Sequence, residues 1–241
     1  MAETGHAKNV ANLATMISFV DGYGGDYKPS NPAIQLAQLN TLLANSNAAL
    51  DDVQTKLVPW KNGVADRENT YDGIRKLSTR LVNALEASGA PANKVDNLKT
   101  FHRQIQGARA KALPQDDPST PENEASGNSV SHQSYVQVAE AFAQQIELLE
   151  GEPLYNPNEV DLQVATLQTR LTNMQNANAA VTAAATPLSN SRIARNQVLY
   201  AEDTGLCDIA ALVKKYVKSL YGADSPQYKQ ISGLEFRKSS V

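Results

Sequence analysis

The sequence predicts an all-α fold: a tandem-duplicated helical bundle, made of two pseudo-symmetric copies of long antiparallel helices with shorter flanking helices. Three observations predict it. The chain matches itself. At a shift of 128 positions, Tyr27, Pro29, Leu39, Leu43, Val53, Pro59 and Arg67 fall on Tyr155, Pro157, Leu167, Leu171, Val181, Pro187 and Arg195, and internal repeats constrain architecture before any local reading does. Beyond residue 70 the shift becomes 135, which sets Ile74, Leu77, Val82 and Leu85 on Ile209, Leu212, Val217 and Leu220. Seven inserted residues are one heptad, which leaves a buried stripe on the same side of a helix. The second observation is a seam of mostly apolar residues stepping by three and four from Leu36 to Leu85, a coiled-coil-like pattern. The third is the weakness of any strand signal: no stretch alternates apolar and polar residues with β-branched enrichment.

Residues 8–20 carry Val10, Leu13, Ile17 and Val20 at helical spacing and predict a short amphipathic helix. Asp21-Gly22-Tyr23-Gly24-Gly25 ends it with a turn. Ser30 or Asn31 then supplies an N-cap, with Pro32 in the first turn. Proline inside a helix removes a backbone hydrogen bond and clashes with the preceding turn, at ~3 kcal/mol or more. Pro59, followed by Asn62 and Gly63, is therefore expected to separate two antiparallel helices. The alternative, one long helix kinked at Pro59, keeps the phase of the seam. Ser88-Gly89-Ala90-Pro91 stops the next helix, and Val95, Leu98, Phe101 or His102, and Ile105 mark another that ends at Gly107.

Residues 113–134 hold Pro, Ser, Asn, Gly and acidic residues and almost no large apolar side chain, which predicts an exposed linker. The second copy restarts near residue 135, with Val136, Ala139, Phe142, Ile146 and Leu149 on its short helix. Asn158 is expected to cap the next helix, which runs to about Thr186, and Pro187 repeats the break at Pro59. A third helix is interrupted near Asp203-Thr204-Gly205. The next runs from Leu206 to Tyr221, and a short, partly apolar tail closes the chain. The expected organisation is a first helical repeat over 1–112, the linker over 113–134 and a second repeat over 135–241, packed as one body. Its expected core anchors are Leu39, Leu43, Val53, Leu57, Leu81 and Leu85, with Leu167, Leu171, Val181, Tyr216 and Leu220.

Composition narrows the class. Of 241 residues 41% are hydrophobic and 6% aromatic, so the core falls to Leu, Val, Ile and Ala, as in helix bundles. A net charge of −3 gives no global attraction to nucleic acid or an acidic membrane. Cys207 stands alone and suits a reducing compartment. The opening residues carry no apolar signal region, and no run approaches the ~18 apolar residues of a membrane span. The expectation is a cytoplasmic protein, with leaderless export left open.

Two stretches carry a resemblance. Leu77 to Ala90, with Arg103 to Arg109 downstream, and Tyr216 to Lys229 resemble segments of an uncharacterised family of duplicated all-helical proteins from Bacteroidetes-type bacteria. The resemblance implies an all-helical, duplicated protein and brings no activity, cofactor or catalytic residue with it.

Residue chemistry points away from a built site. His6, His102 and His132 fall in a tail, a helix and the linker, none has a second ligand one helical turn away, and Cys207 has no partner. Zinc or iron sites need three or four ligands, so no metal and no cofactor is expected. Asp51-Asp52 aligns with Ala179-Ala180 and is expected on a solvated helix face. Gly22 to Tyr27 lacks the Lys-Ser/Thr ending and preceding strand of a phosphate loop, and reads as a cap and corner. No catalytic or cofactor-binding residue is assigned. Charge is segregated instead. Residues 73–112 hold Arg75, Lys76, Arg80, Lys94, Lys99, Arg103, Arg109 and Lys111 against Glu86 and Asp96; residues 113–160 hold acids and no Lys or Arg; residues 209–241 are basic again. Such fields set register and association rate more than affinity. The expectation is therefore a non-enzymatic structural or adaptor protein acting through helix-face contacts with a protein partner or with itself, with no nucleic acid and no membrane span. The rival is a small-molecule carrier or enzyme with a pocket between the halves, near Trp60, Tyr71 and Tyr200.

Overall fold

A computed structural model of the chain describes residues 3–107 and 134–238. Among them it is all-helical, without strands. The chain runs through α1 (Glu3–Gly22), α2 (Leu36–Tyr71), α3 (Ile74–Ala87), α4 (Ala92–Gln106), α5 (Tyr135–Glu150), α6 (Val164–Tyr200), α7 (Leu206–Tyr221) and α8 (Pro226–Ser232), with 3-10 turns ahead of α2 and α6. The expected linker lies outside the described residues, except Ser134. That residue caps α5: its hydroxyl accepts from the Gln137 N–H while the Gln137 side chain returns to the Ser134 N–H, the reciprocal pairing of a capping box.

Local chemistry explains the ends. Gly107 closes α4 in the left-handed region, at φ 72°, where glycine carries no Cβ penalty. Gly205 begins α7 so close to the preceding turn that a Cβ would sit 2.6 Å from the Ala201 nitrogen, so only glycine fits. Asn31 accepts from the Ala33 N–H, with Pro32 next, but it caps the 3-10 turn before α2. The 3-10 turn before α6 follows Glu159, which makes no side-chain cap, so Asn158 does not cap a helix as expected.

The expected breaks at Pro59 and Pro187 are overturned. Each proline lies inside a continuous helix, α2 or α6. Both rings are exposed, on the solvent side where a carbonyl deprived of its helical donor can still be hydrated. The seam passes through unbroken. Every position from Leu36 to Leu85 in the expected register is buried or half-buried, including fully buried Ser46 and Ser78.

The chain divides into two compact units that cut it differently from 1–112 and 135–241. Unit 1 is Met1–Lys61 with Ala183–Val241, and unit 2 is Asn62–Thr182. Continuity of α2 and α6 is the physical reason, because each long helix carries its half of the chain from one unit into the other. In unit 1, α1 packs on α7 and α8, and α7 on α8. Its core includes Leu13, Met16, Leu39, Leu199, Leu206, Val213 and Ile231. In unit 2, α4 packs against α3 and α5, around Leu81, Leu85, Leu98, Phe142, Leu149, Leu167 and Met174. There α2 and α6 run antiparallel: Arg170 donates to the Asp72 carbonyl, Asn178 to the Tyr71 hydroxyl at 2.7 Å, and Val181 faces Gly63.

Burial repeats between the units. His6, Val10, Leu13, Met16, Ile17 and Val20 of α1 are inward, as are Tyr135, Ala139, Phe142, Gln145, Ile146 and Leu149 of α5 in the same spacing. Tyr27 donates to the Ile34 carbonyl at 2.7 Å, and Tyr155 to the Leu162 carbonyl at 2.8 Å. The register of α3 and α7 differs from the expected shift of 135. Buried Ile74, Leu77, Ser78, Leu81 and Leu85 match buried Leu206, Ile209, Ala210, Val213 and Val217, a shift of 132. A loop absorbed the insertion, since Asp72 and Gly73 join α2 to α3 whereas Ala201 to Gly205 join α6 to α7. Leu220, expected as an anchor, is 39% exposed, and Val217 takes its place.

Candidate functional site

An open groove of about 940 Å³ lies in unit 2. One wall is the end of α2 and the start of α3, turned by Gly73 at φ 70°. The other is the first half of α6, where Thr166, Thr169, Asn173 and Asn176 recur at three- and four-residue steps and so share a face. Leu77 and Leu167, both buried, form the floor. Arg170 spans the walls to the Asp72 carbonyl, and Arg80 on α3 pairs with Asp161 ahead of α6. The Arg80 guanidinium holds the Asp161 carboxyl below the usual carboxylate range. Both partners are half exposed, so the pair fixes geometry more than stability. A smaller hollow of about 600 Å³ lies on the other side of Arg80, beside Leu154 and Tyr155. Burial, then Asp161 and Glu159, push the Tyr155 hydroxyl up to about 12.

The ladder of hydroxyls and amides on α6 can donate and accept hydrogen bonds along its length. Its side chains are short and uncharged, so covering them costs little rotamer entropy and little charge desolvation. From Leu171 to Ser191 the helix carries no charged residue at all.

The residues singled out in sequence lie elsewhere. His6 is in α1, 2% exposed, and not in a tail; its Nδ1 lies 2.6 Å from the Tyr200 hydroxyl. The apolar spacing of α1, extended back one turn from Val10, reaches His6, and that signal would have found it. His102 is half-buried on α4 with Nδ1 3.0 Å from the Ser78 hydroxyl, which donates to Gln145 Oε1 at 2.9 Å. Ser78 and Gln145 are wholly buried, so this Ser–His contact is closed to any substrate. His132 lies outside the described residues. Cys207 is 6% exposed, and burial pushes its thiol up to about 11, the opposite of an activated nucleophile. Asp51 and Asp52 are exposed on α2. Trp60 is half-buried partway along α2, while Tyr71 and Tyr200 are buried at the ends of the long helices. No cluster of three or more His, Cys, Asp or Glu able to hold a metal occurs among the described residues. No described helix is long and apolar enough to cross a membrane.

No family model matches the chain, and no curated protein or solved structure shows significant similarity to it.

Proposed function

We propose that this protein is a non-enzymatic structural or adaptor protein that works through helix-face contacts with a protein partner or a second copy of itself, and that the groove of unit 2 is one contact surface. The observation that carries the reading is the Thr166–Thr169–Asn173–Asn176 ladder facing an open groove. A polar, uncharged, shallow-sided helix face suits another helix or polypeptide better than a small ligand, which concave apolar enclosures favour. The groove rim carries Lys76, Arg80 and Arg170 against Asp72 and Asp161, a slight cationic excess that favours an acidic partner and that salt weakens. The matched corners at Tyr27–Ile34 and Tyr155–Leu162 support descent of the two halves from one ancestral repeat.

Sedimentation of the full chain across concentration and salt tests the self-association form. We expect association that falls as salt rises and falls again in Thr169→Glu and Asn173→Glu, which put long anions into the groove. A monomer under every condition removes self-assembly. Association untouched by both substitutions removes the groove as its surface.

A further inference from the structure

Beyond α8 the chain turns at Gly233 and continues without helix from Leu234 to Lys238, across α1 and α7 of unit 1. Leu234 and Phe236 are half-buried against the unit 1 core, whereas Glu235 and Arg237 are exposed. That alternation is the period of an extended strand, yet its backbone is held by side chains. Asn12 Nδ2 donates to the Glu235 carbonyl at 2.7 Å. Asn9 Nδ2 donates to the Arg237 carbonyl at 2.8 Å, and the Arg237 N–H donates to Asn9 Oδ1 at 3.1 Å. One amide side chain thus closes the pair of bonds that a neighbouring strand would make. Lys214 donates to the carbonyls of Ser232 and Leu234, and Lys238 pairs with Asp208 at 2.8 Å.

We propose that this track along α1 and α7 is a docking site for an extended peptide, occupied in cis by residues 234–238, and that the same segment of a second copy is the partner it fits. The holding groups read backbone carbonyls and one backbone N–H. The remaining recognition is two apolar anchors spaced by one residue and a cation opposite Asp208. A second copy carries each of these in the same order, so the track does not distinguish the two tails by contact. It distinguishes them by effective concentration, on the order of millimolar for a short tether, which favours the cis tail in dilute solution. The track is in unit 1 and stands independently of the groove in unit 2.

The test uses full-length chains and a fluorescein-labelled peptide of residues 233–241, read by fluorescence anisotropy. Phe236→Ser weakens the cis tail and is expected to bind the peptide at least tenfold more tightly than the unaltered chain. Adding Asn9→Ala and Asn12→Ala to it is expected to reverse that gain at least tenfold. Asn12→Ala added to Phe236→Ser without the Asn9 change, on the half-buried flank of α1, is expected to give a several-fold loss with unchanged helix content by circular dichroism, which guards against core damage from the Asn9 change. Unlabelled wild-type chain at high concentration is expected to displace the peptide. Equal peptide affinity in the unaltered and Phe236→Ser chains, indifference of the Phe236→Ser chain to Asn12→Ala, or equal binding of a scrambled peptide overturns the docking site. Peptide binding that the wild-type chain cannot displace overturns the second copy as partner.

Discussion

In unit 1, Met16 and Ala210 point inward and are wholly buried; in unit 2, the positions in matching register hold Gln145 and Ser78, buried to the same degree. The pair in unit 2 is hydrogen-bonded and extended to His102. The helix ends are polar in both units but paired differently. Tyr200 at the end of α6 meets His6 of α1, with ring centroids 5.6 Å apart. Tyr71 at the end of α2 meets Tyr135 of α5 edge-on at 4.8 Å and donates to its carbonyl at 2.8 Å. The two units thus share a packing register and differ in the polar chemistry inside it. Register follows from helix periodicity and volume, which tolerate exchange. Buried polar groups tolerate little exchange, because each must find a partner.

The largest expected effects come from cutting each core at one matched position. Phe142→Ala in unit 2 is expected to cost about 3–5 kcal/mol and Leu13→Ala in unit 1 about 2–5 kcal/mol, since both side chains are wholly buried. Urea unfolding gives the totals. Hydrogen exchange gives the location: Phe142→Ala should deprotect α3, α4 and α5, and Leu13→Ala should deprotect α1, α7 and α8. Exchange that rises equally everywhere in both variants would show that the units are not separate packing bodies, and the comparison would break.

Next come the prolines, both of which fall in the unit 1 lengths of α2 and α6. In a continuous helix, Pro59→Ala restores a donor to the Thr55 carbonyl and is expected to stabilise by about 1–3 kcal/mol, with slowed amide exchange across residues 55–63. The unit 2 lengths of these helices contain no proline, so their exchange serves as the internal control. A loss of stability in Pro59→Ala would restore the hairpin.

The prolines also show what the sequence made legible. Steps of three and four are a property of helices, and the seam from Leu36 to Leu85 was readable throughout. Proline penalties are local, and here a long seam on both sides outweighs them. The register of α7 was misread because apolar identity alone aligned Val82 with Val217, whereas burial aligns Leu85 with it. The loop from Ala201 to Gly205 leaves no hydrophobic signal that would correct the shift. The groove was invisible for a different reason: Thr166, Thr169, Asn173 and Asn176 look like any solvated helix face until α3 and the Asp72-Gly73 turn stand opposite. The tail was read as partly apolar, but its anchoring by Asn9 and Asn12 joins residues more than two hundred positions apart, beyond any local pattern.

A smaller effect tests the interior polar pair directly. Ser78→Ala leaves the buried Gln145 amide, whose Nε2 already has no partner, without its remaining bond, at an expected cost of about 1–3 kcal/mol. Gln145→Met added to it recreates the Met16–Ala210 composition of unit 1 and is expected to recover most of that loss, because removing both partners of a buried bond is close to neutral. A double-mutant cycle from urea midpoints measures the coupling. If the double variant is as unstable as the sum of the singles, shape and not hydrogen bonding separates the two interiors.

The smallest effect is a pH slope. Burial holds His102 below its ordinary value of 6.5, so folding favours its neutral form. Its contribution to stability is therefore complete above the unfolded-state value near ~6.5. It declines as pH falls through that value, because the unfolded chain takes up the proton more readily. It levels off once the pH is below the folded-state value. The carboxylates that ion pairs hold low, Asp161, Asp208 and Glu235, lose their contributions only below the ordinary carboxylate range near ~4, which leaves the interval from pH 7 to 5 to histidine. His102→Gln is expected to flatten the dependence of the urea midpoint over that interval relative to the unaltered chain, with Ser78 still offered a hydrogen-bonding neighbour. The comparison then sharpens by location. Hydrogen exchange at pH 5.5 against pH 7 should place the acid-sensitive part of the difference in α3 and α4 of unit 2. Identical slopes for the two chains would mean that His102 is as easily protonated in the folded state as in the unfolded one, and that its contact with Ser78 does not set it apart from a surface histidine.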